Sequence, residues 1–456
     1  MEAEGIKTYF AGLGPGAAVL FIAPFVLILL SLATLPLIAP HFWEKNKNKA
    51  LVSLGLALPV ALFFLFRDWH TLAGTALDYA AFIGLLGALF TISGGIYVRG
   101  SFAGLPWVNA LFLLIGALLS NLIGTTGASM LLIRPLLRAN HLRHHKAHIV
   151  IFFIFVVSNC SGLLTPLGDP PLFLGFLRGV SFAWTLGLAP QWLFVNACLL
   201  VLFFLFDFYW FHKEHLETRA ILKKNEGYLS ERFGIQGLFN FFHLAMVVGL
   251  ILLSGYLIYP MNGREIFGEP FGAVVSKGVQ AAGMILIAVI SFRGTPGEIH
   301  EKNHFNFHPI IEVAVLFAGI FVAMAPALLI LEMQGARLGV TEPRQYFWMS
   351  GALSSFLDNA PTYLTFTSLA KGALGLAGEG LAGLMRHPVG ARYLAAVSCG
   401  AVMMGANTYI GNGPNFMVKA IAEHAKVKMP SFFGYMAWSV GVLIPIFIGV
   451  TFVFFK

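Results

Sequence analysis

Asp169 lies inside Thr165-Pro166-Leu167-Gly168-Asp169-Pro170-Pro171, a short break in an otherwise apolar stretch. Three prolines and a glycine cannot continue an α-helix there, because proline lacks the N–H and its ring clashes with the preceding turn. Unwinding frees carbonyls that can coordinate a cation, and the half-helix after Pro171 turns its amide end toward an anion. A carboxylate among apolar residues is costly and marks ion or proton traffic. The competing reading makes Asp169 only the N-cap of that half-helix. A second break, 407–415, has no carboxylate. It offers the neutral oxygens of Asn407, Thr408, Asn412 and Asn415, with Gly411 and Gly413 for tight backbone. Such oxygens suit Na⁺ or a substrate's polar groups, and an ordinary Gly/Asn turn at a membrane surface is the alternative. The second carboxylate is Asp358, in Asp358-Asn359-Ala360-Pro361, with helix capping as its competing role. Two carboxylates in one cavity repel when both are ionised, so Na⁺ and H⁺ compete for them. That competition suffices for sodium/proton exchange.

Other titratable groups rank lower. His141, His144, His145 and His148 recur at helical spacing, but Arg138, Arg143 and Lys146 lie among them. A basic interfacial helix is expected there rather than a metal site. Glu312 and Glu332 stand near the two ends of one span. Cys160, Cys198 and Cys399 form no even, spaced framework and read as small buried side chains.

These residues need elements to position them. Only 11% of the 456 residues are charged and 58% are hydrophobic, whereas a soluble domain carries about 25% charged residues. Such a chain cannot cover itself with polar surface and needs a bilayer. The net charge of +8 then marks basic loops at an anionic cytoplasmic leaflet, not a nucleic-acid partner. The run 15–40 is too long for a signal peptide's apolar region and has no basic flank, so it reads as a span.

Candidate spans are 16–39, 49–66, 78–98, 149–183, 190–211, 239–259, 271–292, 309–331, 392–422 and 431–455. Two further apolar stretches, 105–133 and 343–370, are interrupted near their middles by small and polar residues. Each fits two half-helices joined by a tight turn, a re-entrant hairpin that does not cross. With both hairpins non-crossing, Lys and Arg concentrate in loops 41–49, 134–148, 212–232, 293–308 and 423–429, including Arg232. The opposite loops are poorer, with Arg67, Arg264, Lys371, Arg386 and Arg392. The basic side is the cytoplasmic one by the positive-inside rule, and both termini then emerge outside.

The chain also repeats itself. Gly94-Gly95-Ile96-Tyr97-Val98 resembles Ala318-Gly319-Ile320-Phe321-Val322. Ala117-Leu118-Leu119-Ser120 aligns with Ala352-Leu353-Ser354-Ser355, and Thr165–Pro171 with Thr408–Pro414. The order span, hairpin, broken span, span recurs, preceded by two more spans in each half. Five spans per half, an odd number, reverse the second half. The expected fold is therefore an all-α polytopic membrane protein of two inverted repeats, 1–238 and 239–456. Each carries a hairpin (105–133, 343–370) and a broken helix (149–183, 392–422). Paired interrupted segments of this kind point to a transporter's site.

At these residues the sequence resembles the ion transporter superfamily. That group includes NhaD-type sodium/proton antiporters, ArsB-type arsenite transporters, citrate transporter-like proteins and divalent-anion/sodium symporters. The resemblance rests on Ser158-Asn159 with Thr165–Pro171, on Leu357-Asp358-Asn359-Ala360-Pro361, and on Gly411-Asn412-Gly413-Pro414-Asn415, over about residues 78–455. It implies that hairpin tips and helix breaks hold Na⁺ and substrate. The implied binding residues are Thr125, Thr126, Asp358 and Asn359 at the tips. At the breaks they are Ser158, Asn159, Thr165, Gly168, Asp169, Asn407, Thr408, Gly411, Asn412 and Asn415. Na⁺ is placed at Asp169 and Asp358. No cofactor is expected beyond Na⁺ and H⁺ as transported or coupling ions. The partners are the lipid bilayer and small ions or anions, in a bacterial plasma membrane, and elevator-type relatives allow a homodimer.

The dicarboxylate symporters carry Ser-Asn-Thr at both hairpin tips, and this chain reads Gly124-Thr125-Thr126 and Asp358-Asn359-Ala360 there. The Asp-Asn pair stands closer to the antiporter and arsenite branches, and no cysteine sits at a tip. A sodium/proton antiporter is therefore the leading expectation, with a Na⁺- or H⁺-coupled citrate-like anion transporter or an arsenite transporter as alternative. An intramembrane enzyme is disfavoured, since no HExxH motif, nucleophile elbow or GxGD-type pair is evident.

Overall fold

The computed structural model describes residues 2–100, 102–225, 234–257, 271–377 and 379–456. Arg232 and Arg264, and the last residues of the expected span 239–259, lie outside the described residues.

The chain opens with α1 (Glu2–Ala11), α2 (Pro15–Ile38), the single turn α3 (Pro40–Trp43), α4 (Asn46–Arg67) and α5 (Trp69–Gly94). The last of these starts well before residue 78. Asp68 sets that start: it accepts the Thr71 amide at 3.3 Å and the Thr71 hydroxyl at 2.6 Å, satisfying the first turn.

Next comes α6 (Pro106–Ala139), which covers the first expected hairpin. Its 34 residues would span about 51 Å as one straight helix. Instead its ends touch, because Asn109 and Asn140 exchange amide hydrogen bonds of 3.0 and 2.7 Å. The reversal is at Gly124, with φ 76° and ψ 156°, a conformation that a side chain disfavours. The broken helix follows as α7 (Ala147–Val156), a 3₁₀ turn (Cys160–Leu163) and α8 (Pro170–Leu177), then α9 (Phe182–Leu186), α10 (Ala189–Lys213) and α11 (Leu216–Asn225).

The second half begins with α12 (Phe239–Leu257), α13 (Phe271–Gly294), α14 (Gly297–Lys302) and α15 (His308–Gln334). A hairpin of α16 (Pro343–Ser354) and α17 (Asn359–Ala373) comes next. Gly335, just after α15, packs against Leu369 near the end of α17. The chain ends with α18 (Leu381–Arg386), α19 (Pro388–Met404), a 3₁₀ turn (Gly405–Asn407), α20 (Gly413–His424) and α21 (Phe432–Phe454).

Two features differ from expectation. The fold is not wholly helical: β1 (Tyr97–Arg99) pairs antiparallel with β2 (Gly234–Gln236), Val98 opposite Ile235. The expected basic helix at 141–148 is also absent as such. Between α6 and α7 the chain is a loop, His141 to Lys146. Its amides bond a carboxylate instead of a helical ladder, Glu214 accepting from His144 at 3.2 Å and His145 at 2.8 Å. Arg143 lies buried beneath it, 2.6 Å from Asp207, and His148 is 2.8 Å from the same carboxylate.

Layering follows hydropathy. Every residue from Ile149 to Val157 is buried, so α7 is the axis of the molecule. By contrast α2, α4, α10 and α21 expose Leu20, Leu51, Phe66, Val201 and Phe452. Contiguous exposed apolar surface of this kind is costly in water and neutral in hydrocarbon. Nine helices among the described residues are long and apolar enough to cross a membrane. The protein is an integral membrane protein.

Candidate functional site

Pro170 and Pro171 open α8, where the missing N–H is one the helix leaves unpaired anyway. They leave Asp169 in extended backbone as the residue just before the helix. Its carboxylate makes no cap hydrogen bond. It points into the protein interior, where it is buried. Thr125 Oγ1 donates to Oδ1 at 2.8 Å, Asn412 Nδ2 to the same oxygen at 3.4 Å, and Asn359 Nδ2 to Oδ2. Those partners come from the first hairpin tip, the second break and the second hairpin tip. All three are neutral, so an ionised Asp169 carries a negative charge that hydrogen bonds moderate without cancelling.

Asp358 behaves differently. Its Oδ1 accepts the Ala360 amide at 3.1 Å and caps α17. It is half-buried and lines the same cavity as Asp169. So capping describes Asp358 and not Asp169. Asn359 is fully buried, and its Oδ1 has no hydrogen-bond partner among the described residues.

The two breaks cross and bind each other. Asn159 Nδ2 donates to Asn415 Oδ1 at 2.6 Å, and Asn412 Nδ2 lies 3.2 Å from both Ser158 O and Asn159 Oδ1. Ser158 shares a hydroxyl hydrogen bond with Ser129 at 2.8 Å. Thr165, Asn407 and Thr408 face the hairpins: Thr165 donates to Asn121 O, Thr408 to Ser355 O, and Asn407 to the Ser355 hydroxyl at 2.9 Å. These three fasten the breaks to the hairpins and do not touch Asp169. Gly168 O accepts the Thr125 amide at 2.9 Å. A Cβ on Gly168 would stand 2.4 Å from Gly162 O, and one on Gly411 2.5 Å from Gly405 O. Only glycine fits at either position.

Residues 16–455 match the model of a family described as Putative citrate transport. The chain belongs to this family. Among curated proteins no sequence matches it. Membership agrees with the citrate transporter-like resemblance of the motifs and makes the chain a transporter rather than an enzyme. It also stands nearer to the carboxylate alternative than to sodium/proton exchange.

In this member of the Putative citrate transport family, the site opens into a cavity of about 730 Å³ lined by Thr125, Thr126, Asp169, Asp358 and Asn412. Lys49, near the start of α4, also lines it, buried and 2.5 Å from Glu312, so this cation and the span-end acid form one pair at this cavity. Glu332 pairs with Lys371 at 2.8 Å beside a different cavity. Four half-helices begin at the site: the part of α6 after Gly124, α8, α17 and α20. Sequence reasoning missed Asn121, whose Oδ1 accepts the Leu164 amide at 2.9 Å and stitches the first break to its hairpin. It also missed Asp78 and Asp207, although an acid inside an apolar span is itself the signal. Cys160 and Cys399 are buried free thiols, and Cys198 is half-buried and also free.

Proposed function

We propose that the chain is a cation-coupled transporter of small carboxylate anions of the citrate class. The observation that carries this reading is the convergence of four half-helix N-termini on a buried carboxylate held by neutral groups. Amide ends of helices favour an anion. Asp169, with the oxygens of Thr125, Thr126 and Asn359, suits a Na⁺ or a proton. Anion and cation then neutralise each other inside a low-dielectric cavity, which couples their binding. A volume near 730 Å³ accommodates a tricarboxylate. Asp358 completes the cation site from the second tip.

The same reading organises the chain as inverted halves, 1–238 and 239–456, with five spans and one non-crossing hairpin each. Paired contacts support it. Thr165 and Thr408 each donate to a hairpin carbonyl, and Gly168 and Gly411 each press on a glycine six positions earlier. A second reading, sodium/proton exchange, is favoured by Asp169 and Asp358 lining one cavity.

Proteoliposomes with an internal pH dye separate the two. Citrate uptake that dissipates a Na⁺ or H⁺ gradient is the expected result. Proton efflux on adding Na⁺ alone, with no response to carboxylates, would establish exchange and sink carboxylate transport.

A further inference from the structure

A second cavity, of about 960 Å³, is lined by residues of α5, α8, α13, α15, α17 and α18. The two share no lining residue. Aromatic pairs on α8 and α15 each reach from one cavity to the other. Phe173 lines the first cavity, Phe176 the second, and their rings stack at 6.4 Å. Phe317 and Phe321 divide in the same way at 6.3 Å, with Phe82 stacked on Phe317 at 5.0 Å.

The second cavity is electropositive. Its charged lining is Arg178, Lys277, Lys371 and Arg386 against one acid, Glu332. Behind them Asp78 holds Lys277 at 2.5 Å and Arg178 at 3.5 Å, which fixes two cations toward the space. Counting Asp78 with Glu332, four cations face two acids. Arg386 Nε is bonded to a backbone carbonyl, Ala382 O, at 3.3 Å. Ser368, a buried residue, also lines the recess. Excess positive charge lining a recess attracts an anion.

We infer that this recess is a capture site for a small anion bearing two or more carboxylates, distinct from the cavity that holds Asp169. The inference rests on the carboxylate-transport reading for its ligand. The cations attract the anion and raise its local concentration. The fork of Arg386 and the Ser368 hydroxyl supply directional contacts.

The test uses the full chain in detergent with cysteine introduced by Ala382→Cys, and Thr75→Cys as a second reporter in case the first misfolds. Both positions line the recess. An anionic methanethiosulfonate should label either thiol about tenfold faster than a cationic one, the scale of electrostatic enrichment in a charged cleft. Citrate should slow labelling, and acetate at matched ionic strength should not. Adding Arg386→Gln should remove most of the preference. Equal rates for the two reagents, or equal effects of acetate and citrate, would overturn the proposal. So would protection by phosphatidylglycerol micelles with none by citrate, which would make the recess a lipid-headgroup site. No transport is measured, so a failure of citrate uptake would not mimic a failure here, and intact uptake without selective labelling would remove only the capture site.

Discussion

Asp169 and Asn412 meet head to head: each is the last extended residue before a half-helix, and Asn412 Nδ2 lies 3.4 Å from Asp169 Oδ1. Their backbones are nearly the same, φ −146° and ψ 146° against φ −154° and ψ 141°. The two breaks therefore present one acid and one amide to a shared space. That asymmetry leaves Asp169 as the one acid that the two breaks contribute.

Replacing the acid tests this first. Asp169→Asn should abolish cation-coupled citrate uptake in proteoliposomes while leaving thermal unfolding within a few degrees of the parent. Full uptake in Asp169→Asn would show that another group carries the coupling.

Two of the three hydrogen bonds to Asp169 can be removed one at a time. Thr125→Val and Asn359→Ala each remove a bond to a charged group, worth about 2 kcal/mol. That corresponds to roughly a 30-fold weaker half-saturation for the coupling cation. Measuring uptake against Na⁺ and against pH, at fixed citrate, reads the effect directly. An unchanged cation dependence in both variants would exclude the assigned cation site.

Moving the charge to the other break offers a sharper case. Asn412→Asp alone places two carboxylates against each other and should make uptake depend on lower pH. The double change Asp169→Asn with Asn412→Asp restores one acid and one amide. It should recover at least part of the uptake that Asp169→Asn loses, and a double variant as inactive as the single one would argue against equivalent breaks.

Gly168→Ala and Gly411→Ala should fail for a steric reason. A Cβ at 2.4 or 2.5 Å from a backbone oxygen forces the break open. Each should lower the midpoint of thermal unfolding in detergent by several degrees and abolish uptake. Gly14→Ala is a control, since nothing lies within 4 Å of its Cβ position.

The loop 141–146 should show a pH-dependent anchor. Burial pushes the Glu214 carboxyl up, but the amides of His145 and His144, the His144 side chain and the Arg143 charge together outweigh it, and the group sits below its ordinary 4.5. A lowered value means its stabilisation is present above pH 4.5 and is lost as pH falls through the folded value. Glu214→Gln should cost about 2 kcal/mol at pH 7. The difference from the parent should shrink below pH 4.5, measured by proteolysis of the loop. A gap that persists in acid would mean that Glu214 acts through packing instead.

Much of this protein was legible along the chain. The bilayer requirement follows from composition, because 11% charged residues cannot cover 456 in water. The breaks were legible because Pro166, Pro170, Pro171, Gly411, Gly413 and Pro414 forbid a continuous helix, and a chain in hydrocarbon breaks only where protein shields it. Asp169 stood out because it is an acid inside such a break. Three-dimensional contacts decided the rest. No local pattern tells that Asp358 spends its carboxylate on a cap while Asp169 does not, since both precede a proline-bearing helix start. Their roles depend on which neighbours arrive, and Thr125, Asn359 and Asn412 come from positions 44 to 243 residues away. The histidine loop was misread for the same reason. Its spacing suits a helix, yet Glu214 and Asp207, distant in sequence, offer its amides and Arg143 stronger partners than a helical turn could. Periodicity records what a segment prefers alone, and buried charge overrides it because an unpaired ion in the interior costs more than a lost turn of helix.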